Sequence, residues 1–284
     1  MNVRLAVVLA VLSLGAGGAT AQGRPAAPPV DSALVRVRLR DGSNVVGHVV
    51  ASDSIVVLVT PSGSRLEFSR TAVRSWAAIR GTAKGGVVVY DDPNTSRIFF
   101  APTGRTLARG EGYFADYFLV YPFIGYAVHD RLTLSGGVSI VPGVTQQAVY
   151  AGPKIGVVRS ANLNAAVGGG YATILGEKDD EGWTGYAAVT VGRPDLALTA
   201  TGGYFKAPED DGAFGILAGE ARISGRAKLL VEGWVFEDVT DVPVVFGMRF
   251  FGERLAVDFG LLHVIGLDTD EWPFIPWVDF VVNW

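Results

Sequence analysis

The stretch Ile275–Trp284, read as I-P-W-V-D-F-V-V-N-W, limits what this chain can fold into more than any other. Successive side chains of an extended strand point to opposite faces. Val278, Phe280, Val282 and Trp284 therefore share one face, and Trp277, Asp279, Val281 and Asn283 share the other. The first face is wholly apolar and ends in an aromatic ring; the second mixes polar and apolar groups and carries a charge. Left at a sheet edge, such a strand offers unpaired backbone groups to any neighbouring chain and is an aggregation hazard. Pairing it with the opposite edge of its own sheet removes that hazard, and the result is a closed barrel.

The chain before it repeats the pattern. Mean hydropathy is positive, +0.31, yet no stretch beyond the first residues is apolar for the ~18 positions that suggest a membrane helix. Alternating membrane strands give this combination. Candidate strands are Ser96–Pro102, Tyr113–Val128, Arg131–Val141, Ala148–Val158, Asn162–Ile174, Trp183–Gly192, Asp195–Lys206, Ala213–Ile223, Arg226–Phe236, Val242–Phe251, Arg254–Val264 and Ile275–Trp284. Their connections alternate between tight turns (His129-Asp130, Arg159–Ala161, Arg193-Pro194, Ser224-Gly225, Gly252-Glu253) and longer loops. The expectation is an all-β protein with a closed antiparallel transmembrane β-barrel of about twelve strands. The ends of the barrel chain and the tight turns then fall on one side, the periplasmic one.

Facing follows from the pleat. Leu132, Leu134, Val138 and Ile140, like Leu255, Val257, Phe259 and Leu261, are assigned to lipid. Arg131, Lys154, Lys228, Glu232, Arg249, Asp258 and Asp279 are assigned to the lumen. A Lys or Arg facing lipid near the midplane costs ~2–4 kcal/mol, which decides the assignment. Both signs occur inside, so pairing across the lumen lowers their desolvation cost and narrows any pore.

Residues 1–21 read as a secretory signal: Arg4, the apolar run Leu5–Leu14, then the small residues Ala19-Thr20-Ala21. Residues 22–32 are a flexible lead-in rich in Pro and Ala. Residues 33–80 carry five short candidate strands, with an Asp41-Gly42 turn between the first two, and form a small β module. Residues 81–90 are read as a linker and 91–284 as the barrel. The chain has no Cys, which removes disulfides, thiolate metal sites and a lipid-anchored cysteine. A net charge of −4 without a basic cluster speaks against nucleic-acid binding.

Three stretches resemble known families. The alternating apolar residues Val278, Phe280 and Val282 with the terminal Trp284 resemble the assembly signature at the end of bacterial outer-membrane β-barrels. That resemblance implies outer-membrane location and recognition by the barrel-assembly machinery, with outer-membrane lipid and lipopolysaccharide as surroundings. The run Asp91–Gly112 with Tyr113 resembles a family of largely uncharacterised outer-membrane proteins that open their barrel with N-x-x-R-x-F-F-A-P-T and G-x-G-Y/F segments. Asn94, Arg97, Phe99, Phe100, Ala101, Pro102, Thr103, Gly110, Gly112 and Tyr113 match. The phrase L-R-D-G-S-N-V-V-G-H-V-V resembles the first hairpin of SH3/Sm-like modules. An RNA-binding role implied by that likeness is set aside, because the chain carries an export signal and the module lacks a basic aromatic patch. An envelope partner for residues 33–80 is the expectation instead.

Little here suggests catalysis. H-E-x-x-H, G-x-S-x-G and Walker patterns are absent. Ser135 or Ser139 with His129 or His263 is the one nucleophile and base pairing worth weighing, and no motif supports it; no enzyme activity and no cofactor are expected. Four loops are acidic: Glu177–Glu181, Pro208–Asp211, Glu237-Asp238 with Asp241, and Asp268–Glu271. Divalent cations are conceivable ligands there, but no spacing matches a calcium loop. Two function classes follow: a narrow passive pore for small solutes, or a non-conducting envelope protein acting through its module or loops.

Overall fold

The computed structural model of the protein describes residues 33–177, 180–266 and 273–284. The expected signal and lead-in lie outside the described residues, as do Lys178, Asp179 and the acidic run 268–271. The chain divides into two compact units, residues 1–78 and 79–284.

The first unit is an antiparallel sheet of five strands: β1 (Leu34–Leu39), β2 (Asn44–Ser52), β3 (Ile55–Val59), β4 (Arg65–Ser69) and β5 (Val73–Ala78). Their order is β4-β3-β2-β1-β5, with β4 and β5 as the edges. The Asp41-Gly42 turn forms as the sequence suggests: Gly42 takes φ +93°, and Asp41 accepts the Ser43 N–H at 2.8 Å. Val35, Val37, Val49, Val56, Leu58 and Val73 make its apolar core.

The second unit begins with a hairpin, β6 (Gly81–Lys84) and β7 (Val87–Tyr90), where a linker was expected. Gly85 and Gly86, with φ of +60° and +83°, supply its turn. The wall follows: β8 (Gly112–Tyr117), β9 (Tyr121–His129), β10 (Leu132–Val138), β11 (Ala148–Arg159), β12 (Leu163–Ile174), β13 (Glu181–Arg193), β14 (Leu196–Lys206), β15 (Asp211–Ser224), β16 (Ala227–Phe236), β17 (Val242–Phe251), β18 (Leu255–Ile265) and β19 (Ile275–Asn283). Every strand pairs antiparallel with its neighbours, and β19 pairs with β8 to close a barrel of twelve strands.

The number twelve agrees with the sequence reading, but two differences cancel within it. Ser96–Pro102 is not a wall strand; it holds one isolated bridge, Arg97 to Pro102. Tyr113–Val128 is two strands rather than one. The chain turns at Phe118 and Leu119, both with positive φ, 54° and 62°. Neither is the Gly, Asn or Asp that marks such a turn, so nothing in this aromatic run announces it.

Outside, the wall is apolar: Leu196, Leu198 and Leu217 are 69%, 71% and 73% exposed. Leu134, Val167, Val231, Phe246 and Phe259 continue the belt around the barrel. Inside, three tyrosines lie over glycines directly opposite them in register, Tyr113 over Gly125, Tyr150 over Gly137 and Tyr186 over Gly168. A Cβ on Gly168 would come within 2.4 Å of the Tyr186 hydroxyl, whereas one on Gly185 would meet nothing within 4 Å. Gly168→Val is therefore expected to cost about 1–3 kcal/mol through overpacking and to lower the fraction of barrel that resists unfolding on unheated gels. Gly185→Ala is the tolerated control. Equal behaviour of the two would show that the tyrosines do not depend on these gaps.

The candidate functional site in the barrel lumen

Residues 91–112, the most distinctive run of the sequence, lie inside the barrel. Ile98, Phe99 and Ala101 are 1%, 0% and 0% exposed. Burial of consecutive residues is incompatible with a wall strand, whose alternate side chains must face out. Pro93 and Pro102 also limit ladder pairing here. The run folds on itself, with Thr103 N–H donating to Ser96 at 3.0 Å and Ile98 N–H to Ala101 at 3.0 Å. Its apolar side packs on Ala218, Leu230 and Val245 of the inner wall, with Leu262 and Trp277 beside them.

Charged groups join this inner segment to the wall on nearly every side. Arg97 donates to both carboxylate oxygens of Asp279, at 2.8 and 3.0 Å, and to the Tyr117 hydroxyl at 2.9 Å. Its guanidinium sits 4.6 Å from the Tyr117 ring centre and 4.7 Å from that of Phe123. Arg249 grips Asp258 through two parallel bonds of 2.7 Å, the bidentate geometry that makes such pairs strong. It also reaches Asp92 at 3.2 Å and the carbonyl of Ile98 at 2.6 Å. Lys228 bridges Asp92 at 2.7 Å and Glu220 at 2.5 Å, and Arg105 also bonds Glu220.

Glu232 has no ion-pair partner among the described residues. Its carboxylate accepts the backbone N–H groups of Phe99, Phe100 and Ala101 at 3.0–3.1 Å through Oε2, and the Trp234 indole N–H at 2.8 Å through Oε1. Three successive amides converging on one anion form a backbone nest. Elsewhere on the wall, from β11 to β14, Gly104 N–H donates to Thr190 at 2.8 Å, Thr201 donates to the Pro102 carbonyl at 3.0 Å, and Lys154 donates to the Ser96 carbonyl at 2.9 Å. At the rim that carries the tight turns, Asn283 donates to the Pro93 carbonyl at 2.6 Å. There Arg109 N–H donates to Asp130 at 2.9 Å, and this bond, with Arg159 nearby, holds the Asp130 carboxyl below the usual range against the effect of burial. A cavity of about 420 Å³ opens at the same rim, bordered by Asp91, Asp92, Thr106, Glu111 and Asn283.

Of the seven lumen candidates, Lys228, Glu232 and Arg249 are fully enclosed and Asp258 and Asp279 are 1% exposed. Lys154 points inward but is only half-buried. Arg131 does not join them: it sits exposed beside the turn between β9 and β10 and donates to the Val157 carbonyl at 3.2 Å. Position one residue before the strand frees it from the pleat. Asp92, Arg97, Arg105 and Glu220 complete the cluster without having been assigned to it. Glu220 is reachable by the same pleat rule, in step with Ile216 and Ala218; the other three belong to a segment with no alternation to read.

The serine and histidine candidates stay apart. Ser135 donates to the Gly152 carbonyl at 3.3 Å and Ser139 to Gln147 at 2.9 Å. His129 accepts the Arg131 N–H at 3.2 Å, and His263 lies against Phe274. Among the described residues no three carboxylate or imidazole groups gather as a metal site. Val278, Phe280, Val282 and Trp284 share the outward face of β19, with Val282 and Trp284 39% and 51% exposed.

Comparison with known protein families returns no match, and comparison with curated proteins returns none. Solved structures do superpose. The chain is similar to the KdgM porin in complex with disordered oligogalacturonate, with TM-score 0.45 and 7% identity over 61% of this chain and 95% of the other. It is also similar to OmpT, an outer membrane protein of Vibrio cholerae, in a form lacking loop L8, with TM-score 0.35 and 14% identity over 88% and 96%. These superpositions are loose and say nothing of what fills the lumen.

Proposed function

We propose that this chain is a bacterial outer-membrane β-barrel kept closed by its own residues 91–112, which serves the envelope through its rims and its amino-terminal module rather than as an open pore. The observation that carries this reading is the occupied lumen. Arg97 and Arg105 of the segment meet Asp279 and Glu220 of the wall there as buried ion pairs, and its Asp92 meets Lys228 and Arg249. Removing one partner of a buried pair costs ~3–5 kcal/mol, so the segment is not displaced by thermal motion. The exposed apolar belt supports a bilayer as the surroundings, since a water-soluble barrel has no use for it.

The order of the turns supports a sidedness. Tight connections at 130–131, 160–162, 194–195, 225–226 and 252–254 lie at the rim where β8 begins and β19 ends. Short turns are periplasmic in such barrels, which supports reading residues 33–80 as a periplasmic, SH3/Sm-like module for an envelope partner. The acidic loops at 208–211 and 237–241 then face outward on this reading, where divalent cations bridge lipopolysaccharide phosphates.

Two measurements test this. Purified full-length protein in planar bilayers is expected to be silent; regular conductance steps from the unaltered chain would restore the passive-pore reading. The natural absence of Cys gives clean labelling. An impermeant maleimide is expected to label Asp210→Cys in intact cells and to miss Ser43→Cys and Ser224→Cys, and the opposite pattern would invert the barrel.

A further inference from the structure

The cavity at the rim of tight turns is enclosed by parts of the chain that lie far apart in sequence. Both ends of the inner segment, the turn between β17 and β18 and the end of β19 border it. Its volume of about 420 Å³ falls within the ~300–1,000 Å³ usual for small-molecule sites. Arg80, Asp91, Asp92, Glu111, Glu253 and Asn283 supply its charged and amide groups. Four carboxylates thus share the border with one guanidinium.

Two of those carboxylates are answered. Arg80 meets Glu111 at 2.9 Å, and Asp92 is held by Lys228 at 2.7 Å and Arg249 at 3.2 Å. Asp91 is exposed and has no cation within ion-pair distance among the described residues. Glu253 adds a further negative charge to the same border. The surplus is negative, so the cavity favours a cation.

Asn283 narrows the kind of cation. It is 7% exposed, and its Nδ2 donates to the carbonyl of Pro93, another residue of the border, at 2.6 Å. Its Oδ1 accepts no hydrogen bond. Exchanging the two amide atoms would only set oxygen against oxygen at Pro93. A buried amide oxygen without a donor is costly, so the missing group is a donor, and Arg80 does not supply it. A calcium ion takes about six to eight oxygen ligands, and among the described residues no three carboxylate or imidazole groups gather to hold a metal. An ammonium brings both a positive charge and three N–H donors.

We propose that this cavity binds a small primary amine, its ammonium group lodged among the Asn283 amide oxygen and the carboxylates of Asp91 and Glu253. Pro93 and Leu107 give the alkyl part an apolar border. Bonds from an ionised donor are the stronger kind. The site depends on the rim alone and holds whether or not the barrel conducts.

The test is isothermal titration of the full-length, detergent-solubilised protein at neutral pH in a low-salt buffer free of amines. Butylammonium chloride is the probe. Tetramethylammonium chloride carries the same charge without an N–H donor, and magnesium chloride carries charge as a metal ion. Saturable binding of butylammonium at one site is expected, with tetramethylammonium weaker by about 10-fold or more. Asn283→Ala should weaken butylammonium binding by about 2- to 10-fold, the effect of one hydrogen bond. Asp91→Lys, which sets a tethered ammonium on the border, should abolish it. Should Asn283→Ala fail to assemble, Asp91→Lys decides the matter alone, since Asp91 is exposed and outside every ion pair of the lumen. No saturable butylammonium binding overturns the site, and so does binding unchanged in Asp91→Lys. Tetramethylammonium or magnesium binding as tightly as butylammonium also overturns it, by showing a site for charge alone.

Discussion

Glu232→Ala is expected to convert a silent barrel into a conducting one. The Glu232 carboxylate is fully enclosed and accepts three successive backbone N–H groups of the inner segment and one indole N–H. Without it those donors have no partner, and a buried unsatisfied donor costs about 1–3 kcal/mol. Even if water enters and recovers part of this, several kcal/mol of the segment's hold on β16 is lost. The wall itself is untouched, because its ladder bonds are backbone to backbone. The variant should therefore reach the membrane in normal amount and show conductance steps. A second reporter is Ala101→Cys, fully buried in the intact protein, which should react with maleimide only when combined with Glu232→Ala. A variant at normal level that stays silent and unreactive would show that the other ion pairs hold the segment without Glu232.

Replacing Phe280 and Trp284 together by Asp should reduce assembled barrel to a small fraction of the unaltered level, whatever the lumen does. β19 meets β8 over the short register Asp279–Tyr117 to Asn283–Tyr113, whereas β13 and β14 pair from Trp183–Lys206 to Arg193–Leu196. This is a short seam, and Trp284 strengthens it by donating its N–H to the Gly112 carbonyl at 3.1 Å and laying its ring over Gly112. Two outward carboxylates expose that seam to hydrocarbon with groups that want water, and an unpaired edge has no stable state in lipid. Quantifying the heat-modifiable band in outer-membrane fractions measures the loss. Normal levels would show that closure does not depend on this face.

The wall was legible because a pleat has a period of two, and twelve strands repeat it. The same rule sets Lys228, Glu232, Arg249, Asp258 and Asp279 on the inner face. What it could not reach was the inner segment. Residues 91–112 bury neighbouring side chains such as Arg97, Ile98 and Phe99 on more than one side, so no alternating face is written as a pattern. Ile98, Phe99 and Phe100 read equally well as a membrane strand. The turn at Phe118 and Leu119 was hidden for a related reason: its conformation is imposed by the closing wall on residues that do not favour it, and it carries no turn residue of its own. The function of the charges was half legible. Opposite signs inside a barrel announce pairing, as between Arg249 and Asp258, but not that Asp92, Arg97 and Arg105 of the inner segment join it.

Arg97 and Asp279 are separated by 182 positions along the chain, and this pairing bears on the order of events during membrane insertion. Asp279 belongs to the strand that completes the cylinder, so the inner segment finds its strongest charge partner only when the cylinder is being completed. Contacts of such sequence separation form late and slowly. A wall that closed without its filling would leave Asp279 without Arg97 and would strip Lys228 and Arg249 of Asp92, leaving them only Glu220 and Asp258 of the wall. Such a product would be both unstable and leaky. On the proposed closed-barrel reading, sealing and closure are then a single event, and a half-made molecule has no low-energy way to breach the barrier it is being built into.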